Sequence, residues 1–239
     1  MWAAEKGRTG NIALLIKHGA QVNAVSRKGF TPLVFAMKSQ VPEAATLIMN
    51  AGADTKSDLP DGSALIEAAI KLRNFPVALE LVSRGVDINR RDKEGRQLIH
   101  LAALSGSADL VKAVLAKGAD PNVFSQHHPG PYADPVPGAN GGAPPLLFAA
   151  MSGSLETMKV LVAAGAQLNA RARVDAGIDR IYSASDYANR SARASTRVFF
   201  IDFLHERGIE LPRPAPATEL AAEIAAGGPP PDVPENLKR

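Results

Sequence analysis

The sequence predicts an all-α solenoid, in which helix-turn-helix units stack side by side and finger-like loops project along one edge. Glycine recurs at 33-residue intervals, and an apolar helical stretch precedes each of these glycines. A single helix pair could not bury such a stretch, whereas stacked neighbours can. With 46% hydrophobic but only 5% aromatic residues, the chain of 239 residues favours packed helices over a sheet sandwich. The recurring glycines are Gly19, Gly52, Gly85 and Gly118, followed at longer intervals by Gly165 and Gly208.

Each recurring glycine predicts the end of the second helix of a unit. Glycine just past a helix end adopts the left-handed conformation at low cost. Asparagine follows most of these glycines by four residues, and we expect its side chain to hold a local turn. The second helices share an apolar position that we expect to be buried between units. Its members are Leu15, Ile48, Leu81, Val114, Leu161 and Leu204.

A finger loop and a short first helix follow each glycine. The finger contains a second glycine, at Gly29, Gly62, Gly95 or Gly142. The helix start is clearest at Thr31-Pro32-Leu33, since proline suits the first turn of a helix.

These segments resemble the ankyrin repeat family. Thr31-Pro32-Leu33 and His100-Leu101-Ala102-Ala103 match parts of its first-helix signature, and Gly118-Ala119-Asp120-Pro121-Asn122 matches its closing signature. The resemblance implies stacked helix pairs with β-hairpin-like fingers, and for His100 a structural bond between neighbouring fingers. It covers about six units: 1–22 (partial), 23–55, 56–88, 89–121, 122–168 with a long finger insertion, and 169–211 as a degenerate cap; a Pro/Ala-rich tail with a short helix occupies 212–239.

The sequence departs from the family pattern at several points. Leu65-Ile66 and Leu98-Ile99 replace the Pro-Leu helix start. Gln40 and Arg73 stand where the family usually has a glycine between the two helices. The first unit begins in the middle of its first helix, so we expect the array to continue upstream of Met1.

Composition and motifs disfavour several function classes. Without cysteine there is no thiolate metal site or cysteine nucleophile. No apolar run approaches the ~18 residues of a membrane span, and a net charge of +3 is small for a nucleic-acid binder. The sequence lacks the glycine-rich phosphate-binding motifs and the Gly-x-Ser-x-Gly motif. We therefore expect no enzyme activity, no cofactor, no metal and no small-molecule substrate.

The resemblance implies that the array binds a partner protein through its fingers and the concave face of its first helices. The fifth finger carries a long insertion from Phe124 to Gly142, which is either an extended contact loop or a tolerated insertion. Arginines gather in the fingers, either as a basic rim for an acidic partner or as ordinary solvated charge. The repeat register also places Ser63 on the concave face. The predicted partner-binding residues are Phe30, Lys38, Lys71, Arg91, Arg96, Leu104, Phe124, His127, His128, Tyr132, Arg173 and Tyr182.

Three functional hypotheses remain open at this stage. The chain is a binding module that inhibits or scaffolds a partner, the ankyrin portion of a larger multidomain protein, or an enzyme with an unrecognised site. Its alanine-rich, cysteine-free composition is similar to that of bacterial ankyrin proteins, which favours the first. Cytoplasmic localisation is the default, with periplasmic or secreted placement if a signal peptide lies upstream.

Overall fold

A computed structural model describes residues 1–126 and 142–167, together with the backbone of strands at 171–172 and 182–183. All of these belong to one compact unit, Met1–Arg197, while the second unit, Val198–Arg239, lies outside the described residues. Within the described part, ten helices form five consecutive pairs. They are α1 (Trp2–Glu5) and α2 (Thr9–Lys17), α3 (Pro32–Lys38) and α4 (Pro42–Asn50), α5 (Leu65–Lys71) and α6 (Phe75–Ser83), α7 (Leu98–Ser105) and α8 (Ala108–Ala116), and α9 (Pro145–Ser152) and α10 (Leu155–Ala163).

The helix pairs stack in two layers, which confirms the predicted all-α solenoid. In the first layer α1 packs on α3, α5 on α7, and α7 on α9. In the second layer α2, α4, α6, α8 and α10 each contact the next. Strands β1 (Arg171–Ala172) and β2 (Tyr182–Ser183) pair antiparallel in the predicted sixth unit. The rest of that unit and the tail helix predicted after Thr218 lie outside the described residues.

The apolar stripe of the second helices is buried between neighbouring repeats, as the register predicts. Leu81 is 0% exposed, and Ile48, Val114 and Leu161 are likewise buried. Leu15 holds the equivalent position in the first repeat but is 50% exposed. Burial of this stripe is what stabilises the stack, because each repeat removes the apolar surface of its neighbour from water.

The second helices end at the predicted glycines. Gly85, for example, has a φ of +81°. Its N–H donates to the carbonyl of Val82 (3.1 Å), and the N–H of Val86 donates to that of Leu81 (3.4 Å). This pair of bonds is the Schellman motif, in which the left-handed residue lets the chain satisfy the last helical carbonyls.

The turns between paired helices keep a left-handed residue even where glycine is missing. Gly106 in the fourth repeat has a φ of +74°, and Gln40 and Arg73 occupy the same turn with φ of +58° and +55°. The Nε2 of Gln40 donates to the carbonyl of Leu72 in the next repeat (3.0 Å). The departure from the family pattern therefore changes the side chain without changing the backbone.

The starts of α5 and α7, which lack the proline of the family pattern, are capped by the side chain three residues after the cap position. The Oε1 of Glu67 accepts from the N–H of Ala64 (3.0 Å), and the Nδ1 of His100 accepts from the N–H of Gln97 (3.0 Å). Each side chain satisfies a donor that would otherwise be left unpaired at the start of its helix.

Two of the asparagines after the recurring glycines, Asn23 and Asn122, bond between repeats rather than within one turn, which corrects the local bond expected for them. The Nδ2 of Asn23 donates to the carbonyl of Gly52 (3.1 Å), and its Oδ1 accepts from the N–H of Asp54 (2.8 Å). Asn122 forms the same two bonds with the loop at Gly165. A side chain that could close its own turn instead joins two loops 29 or more residues apart in sequence.

Charged side chains join the third repeat to the second, through Arg84, and to the fourth, through Arg90. Lys56 occupies the asparagine position of the second repeat, so the asparagine bridge is replaced there. The Nη1 of Arg84 donates to the carbonyl of Met49 (3.3 Å). Arg90 pairs with Asp58, and the hydrogen bond from Arg90 is the main cause that lowers the pKa of the Asp58 carboxyl. We call this group of contacts the second seam.

Among the helices that the structure describes, none is both long and apolar enough to cross a membrane.

Candidate protein-binding surface

The second, third and fourth fingers are hairpins of equal size, repeated along one edge of the array. In each, the N–H of one residue donates to the carbonyl four residues later, and a turn ending in glycine lies between them. The bonds measure 2.8 to 2.9 Å. They join Ser26 to Phe30, Leu59 to Ser63, and Asp92 to Arg96.

The fifth finger closes in the same way despite its insertion. The N–H of Ser125 donates to the carbonyl of Ala143 (3.0 Å), so the inserted segment leaves and rejoins the finger at its tip. Gly142 has no room for a side chain, because a Cβ there would lie 1.9 Å from the carbonyl oxygen of Ser125. Phe124, at the base of this finger, is 43% exposed. The predicted contacts His127, His128 and Tyr132 lie in the insertion, outside the described residues.

The fourth and fifth fingers are bonded to each other. The N–H of Gln126 in the fifth finger donates to the carbonyl of Gly95 in the fourth (3.0 Å). The Nη1 of Arg91 donates to the carbonyls of Gly95 (2.6 Å) and Phe124 (3.1 Å). A side chain at Gly95 would collide with Gln126, since its Cβ would lie 2.2 Å from that of Gln126. The spacing between the two fingers is therefore fixed by the chain itself.

Four predicted concave residues lie along the first helices or at their starts. Phe30 is half-buried, and the Nζ of Lys38 lies 5.7 Å from the centre of its ring. Lys71 is exposed at the end of α5, and Leu104 is half-buried in α7. An ammonium over an aromatic face is attracted to the ring, so Phe30 orients Lys38.

Ser63 is not a surface residue, which corrects its assignment to the concave face. Its side chain is buried, and its hydroxyl donates to the Oδ1 of Asp61 (2.6 Å). This bond, followed by one from the Ser63 N–H, lowers the pKa of the Asp61 carboxyl. Ser63 therefore holds the third finger in shape instead of facing a partner.

Two of the predicted arginines are engaged within the fingers. Arg91 bonds the fourth finger to the fifth, as described above. The Nε of Arg96 donates to the Oδ2 of Asp92 (2.8 Å), and its Nη2 pairs with Glu94 (2.9 Å). Charge-assisted bonds of this kind stabilise the hairpin, and a partner would have to share the guanidinium with them.

His100 forms the bond to the neighbouring finger that the resemblance implied. It is fully buried, its Nε2 lies 2.9 Å from the carbonyl oxygen of Val123, and its ring contacts Phe148 edge to face. Burial lowers the pKa of His100 to about 4, so the ring is neutral near pH 7.

The remaining predicted contacts receive no side-chain description. Arg173 lies outside the described residues. The backbone of Tyr182 lies in β2 opposite Ala172.

One arginine of the surface was missed by the sequence-based selection of partner-binding residues. The guanidinium carbon of Arg73 lies 5.2 Å from the ring centre of Phe75, at the turn that precedes α6. The signal was present in the sequence, since Arg73 replaces the expected turn glycine, but that signal was interpreted only as a departure from the family pattern.

Within the described ranges, no three histidine or acidic side chains are grouped to hold a metal ion. An apolar cavity of about 70 Å³ lies between the first and second repeats, lined in part by Ile12, Leu15 and Ile48. A pocket for a small-molecule ligand is typically several times larger. The geometry of this part of the chain offers a repeated outer surface instead.

The comparisons with known proteins agree with this geometry. The family model "Ankyrin repeats (3 copies)" matches residues 47–125 and 65–172, which together span more than half of the chain. The chain is a member of the ankyrin repeat family. The ankyrin repeat domain of human ASB11 superposes with a TM-score of 0.60 over 89% of this chain and 82% of that chain, at 21% sequence identity, which supports the fold alone.

Two curated relatives match about half of this ankyrin repeat protein. The ankyrin repeat and KH domain-containing protein mask-1 of Caenorhabditis elegans is 31% identical over 51% of the chain, and the putative ankyrin repeat protein FPV219 of fowlpox virus is 30% identical over 48%. The matched regions cover 5% and 26% of those proteins. The expectation of a bacterial type stays a prediction.

Proposed function

We propose that this chain is a non-enzymatic recognition module that binds a partner protein through its finger tips and the exposed face of its first helices. The observation that supports this most directly is the set of finger hairpins repeated along one edge, of which the fourth and fifth are bonded to each other. A surface fixed before binding loses little conformational entropy when a partner arrives. Binding of this kind allows the array to inhibit or scaffold its partner.

We further propose that the partner presents an acidic surface. Exposed cations line the fingers and first helices, while several arginines nearby are already paired with Asp58, Asp92 or Glu80. Complementary charge across an interface speeds encounter and selects the partner. The exposed cations are Arg27, Lys28, Lys38, Lys71 and Lys93.

The test is capture of the partner from the native source by the full chain, followed by cross-linking and mass spectrometry. Cross-links are expected at Lys28, Lys38 and Lys71, and Phe124→Ala should weaken capture because it removes an exposed aromatic side chain beside the inserted loop. Leu14→Ala is the matched control, since it truncates an apolar residue that is also exposed but lies on the second-helix layer. Cross-links confined to the second-helix layer, at Lys17, Lys112 and Lys159, would contradict the proposal.

A second candidate is that the array forms one segment of a larger multidomain protein. It is favoured by the exposure of Leu15, whose equivalents are buried under the preceding repeat, and of Trp2, which is 66% exposed. Both would be covered by a further repeat stacked on α1 and α2. Measurement of the intact mass of the native protein tests this: a mass well above that of 239 residues supports it, and a matching mass contradicts it.

A further inference from the structure

We propose that the turns ending the first helices of the second and third repeats bind an acidic segment of the partner protein. We call the four residues Lys38, Gln40, Lys71 and Arg73 the basic edge. The inference rests on the proposed function and narrows it, because it assigns the binding to one part of the surface and names the chemistry of the segment that occupies it.

The first argument is the backbone strain retained at two of these positions. Gln40 and Arg73 have φ of +58° and +55°, a region that side chains with a Cβ adopt at a cost in stability. The same turn carries glycine in the other three described repeats, at Gly7, Gly106 and Gly153, all with positive φ. Strained residues cluster at functional sites. Glycine would relieve the strain at both positions. The side chain of Gln40 gives in return a bond to the Leu72 carbonyl of the next repeat, whereas that of Arg73 gives an exposed cation.

The second argument is that two cations of the edge are held in place by aromatic rings. The guanidinium of Arg73 lies 5.2 Å from the centre of the Phe75 ring, and the Nζ of Lys38 lies 5.7 Å from that of Phe30. Within the described part of the chain, neither cation has a hydrogen bond or an ion pair. Their N–H groups are thus positioned by the rings while remaining available to a carboxylate.

The third argument is that the charge is confined to two repeats. At the equivalent positions Lys38 and Lys71 are preceded by the acidic Glu5 and followed by the uncharged Leu104 and Met151, so only these two repeats place a cation there. The positive charge of Lys71 contributes to lowering the pKa of the nearby Asp61 carboxyl. That carboxylate already accepts two hydrogen bonds from Ser63. The edge is therefore a local basic surface within an array whose net charge is only +3.

The repeat spacing sets the pattern that the acidic segment needs. The two turns are in direct contact, since the Nε2 of Gln40 donates to the carbonyl of Leu72 (3.0 Å). Neighbouring helices in proteins lie roughly 8–10 Å apart, so we expect about that distance between Lys38 and Lys71. A segment in the polyproline II conformation advances about 3.1 Å per residue with three residues per turn, so its side chains three residues apart lie on one face about 9 Å apart. Carboxylates at that spacing would match the two repeats.

The experiment measures fluorescence anisotropy of a labelled peptide of four Glu-Gly-Ser repeats, titrated with the full chain at low ionic strength. The triple variant Lys38→Gln, Lys71→Gln, Arg73→Gln should weaken binding at least about fivefold. The matched control removes the same three charges from the second-helix layer, as Lys17→Gln, Lys112→Gln, Lys159→Gln, and should change binding less than about twofold. Circular dichroism melts verify that each variant is folded. Replacing Arg73→Gln by Arg73→Lys in the first triple variant should recover part of the affinity.

Three results would overturn the inference. The first is equal weakening by both triple variants, which would indicate attraction by net charge alone. The second is equal binding of a Gln-Gly-Ser peptide. The third is tighter binding of a twelve-nucleotide oligothymidylate through the same residues, which would assign the edge to nucleic acid. If these results appear while a captured partner still cross-links to the fingers, the basic edge is refuted and the proposed function stands.

Discussion

The imidazole of His100 in the fourth repeat and the carbonyl of Val123 in the fifth finger are joined by a contact of 2.9 Å at Nε2. The other ring nitrogen, Nδ1, accepts the N–H of Gln97. The proton of the neutral ring must therefore lie on Nε2, where it is donated to Val123. A second proton would have to bind Nδ1, which already faces a donor, in a site closed to water.

The stability of the array should fall as pH decreases from about 6.5 to about 4, because of His100. Its pKa is lowered from 6.5 to about 4 by burial, so in this window the unfolded state binds the proton that the folded state does not. The loss should approach about 3 kcal/mol at the lower limit and end there, since both states are protonated below it. Urea unfolding at a series of pH values measures it.

His100→Leu provides the control, because leucine stands at the equivalent position of the fifth repeat as Leu147. The variant leaves the Gln97 N–H and the Val123 carbonyl unpaired, at a cost of about 1–3 kcal/mol each near pH 7. Its pH slope between 4 and 6.5 should nevertheless be shallower than that of the native chain. An unchanged slope would show that other groups cause the acid sensitivity.

Leu81→Ala should destabilise the array by about 2–5 kcal/mol, since Leu81 is completely buried between α6 and its neighbours. Leu15→Ala removes the same atoms at the equivalent position, where half of the side chain is exposed, and should cost less than about 1 kcal/mol. The free energy of unfolding is measured for both. Equal losses would mean that the register of the repeats is misassigned.

Gly85→Ala should cost about 1 kcal/mol through backbone strain alone. Gly85 has a φ of +81°, and a Cβ built on it meets nothing within 4 Å. Alanine at this position would therefore suffer backbone strain without a steric collision, whereas alanine at Gly95 would suffer both. A urea midpoint indistinguishable from that of the native chain would contradict the left-handed helix end.

Arg73→Gly should stabilise the array by about 0.5–1 kcal/mol while weakening binding of the acidic peptide. Glycine relieves the left-handed strain, and only a surface contact with Phe75 is lost. Gln40→Gly should gain less, because it also loses the bond to the Leu72 carbonyl. Thermal melts measure stability and anisotropy measures peptide affinity. A decrease in both stability and affinity for Arg73→Gly would indicate a purely structural role.

Periodicity was sufficient to predict the helix pairs, since burial of Ile48, Leu81, Val114 and Leu161 follows from one repeated position. The helix-ending glycines followed from the same register. The bonds across repeats did not, because a side chain such as Asn23 has a plausible local partner and its choice of Gly52 depends on how the loops meet.

The candidate surface was harder to predict than the fold. Arg91, Arg96 and Ser63 have suitable side chains at suitable positions, yet the first two bond within or between fingers and the third is buried. Sequence shows which residues share an edge but not which of them are already engaged. Arg73 is the opposite case, a candidate binding residue that the sequence-based selection left out. Its replacement of glycine suggests a binding role only once the turn is known to be left-handed and therefore strained.

The second seam makes the cohesion of the array sensitive to the surrounding electrolyte. Arg84 and Arg90 provide there part of what an uncharged asparagine provides at Asn23 and Asn122, and dissolved ions weaken attraction between exposed charges far more than they weaken amide bonds. Concentrated salt should thus loosen the array first where the third repeat meets its two neighbours. The junction of the second and third repeats also carries both halves of the basic edge, so ionic strength would alter the distance between its two cationic turns as well as the strength of their attraction.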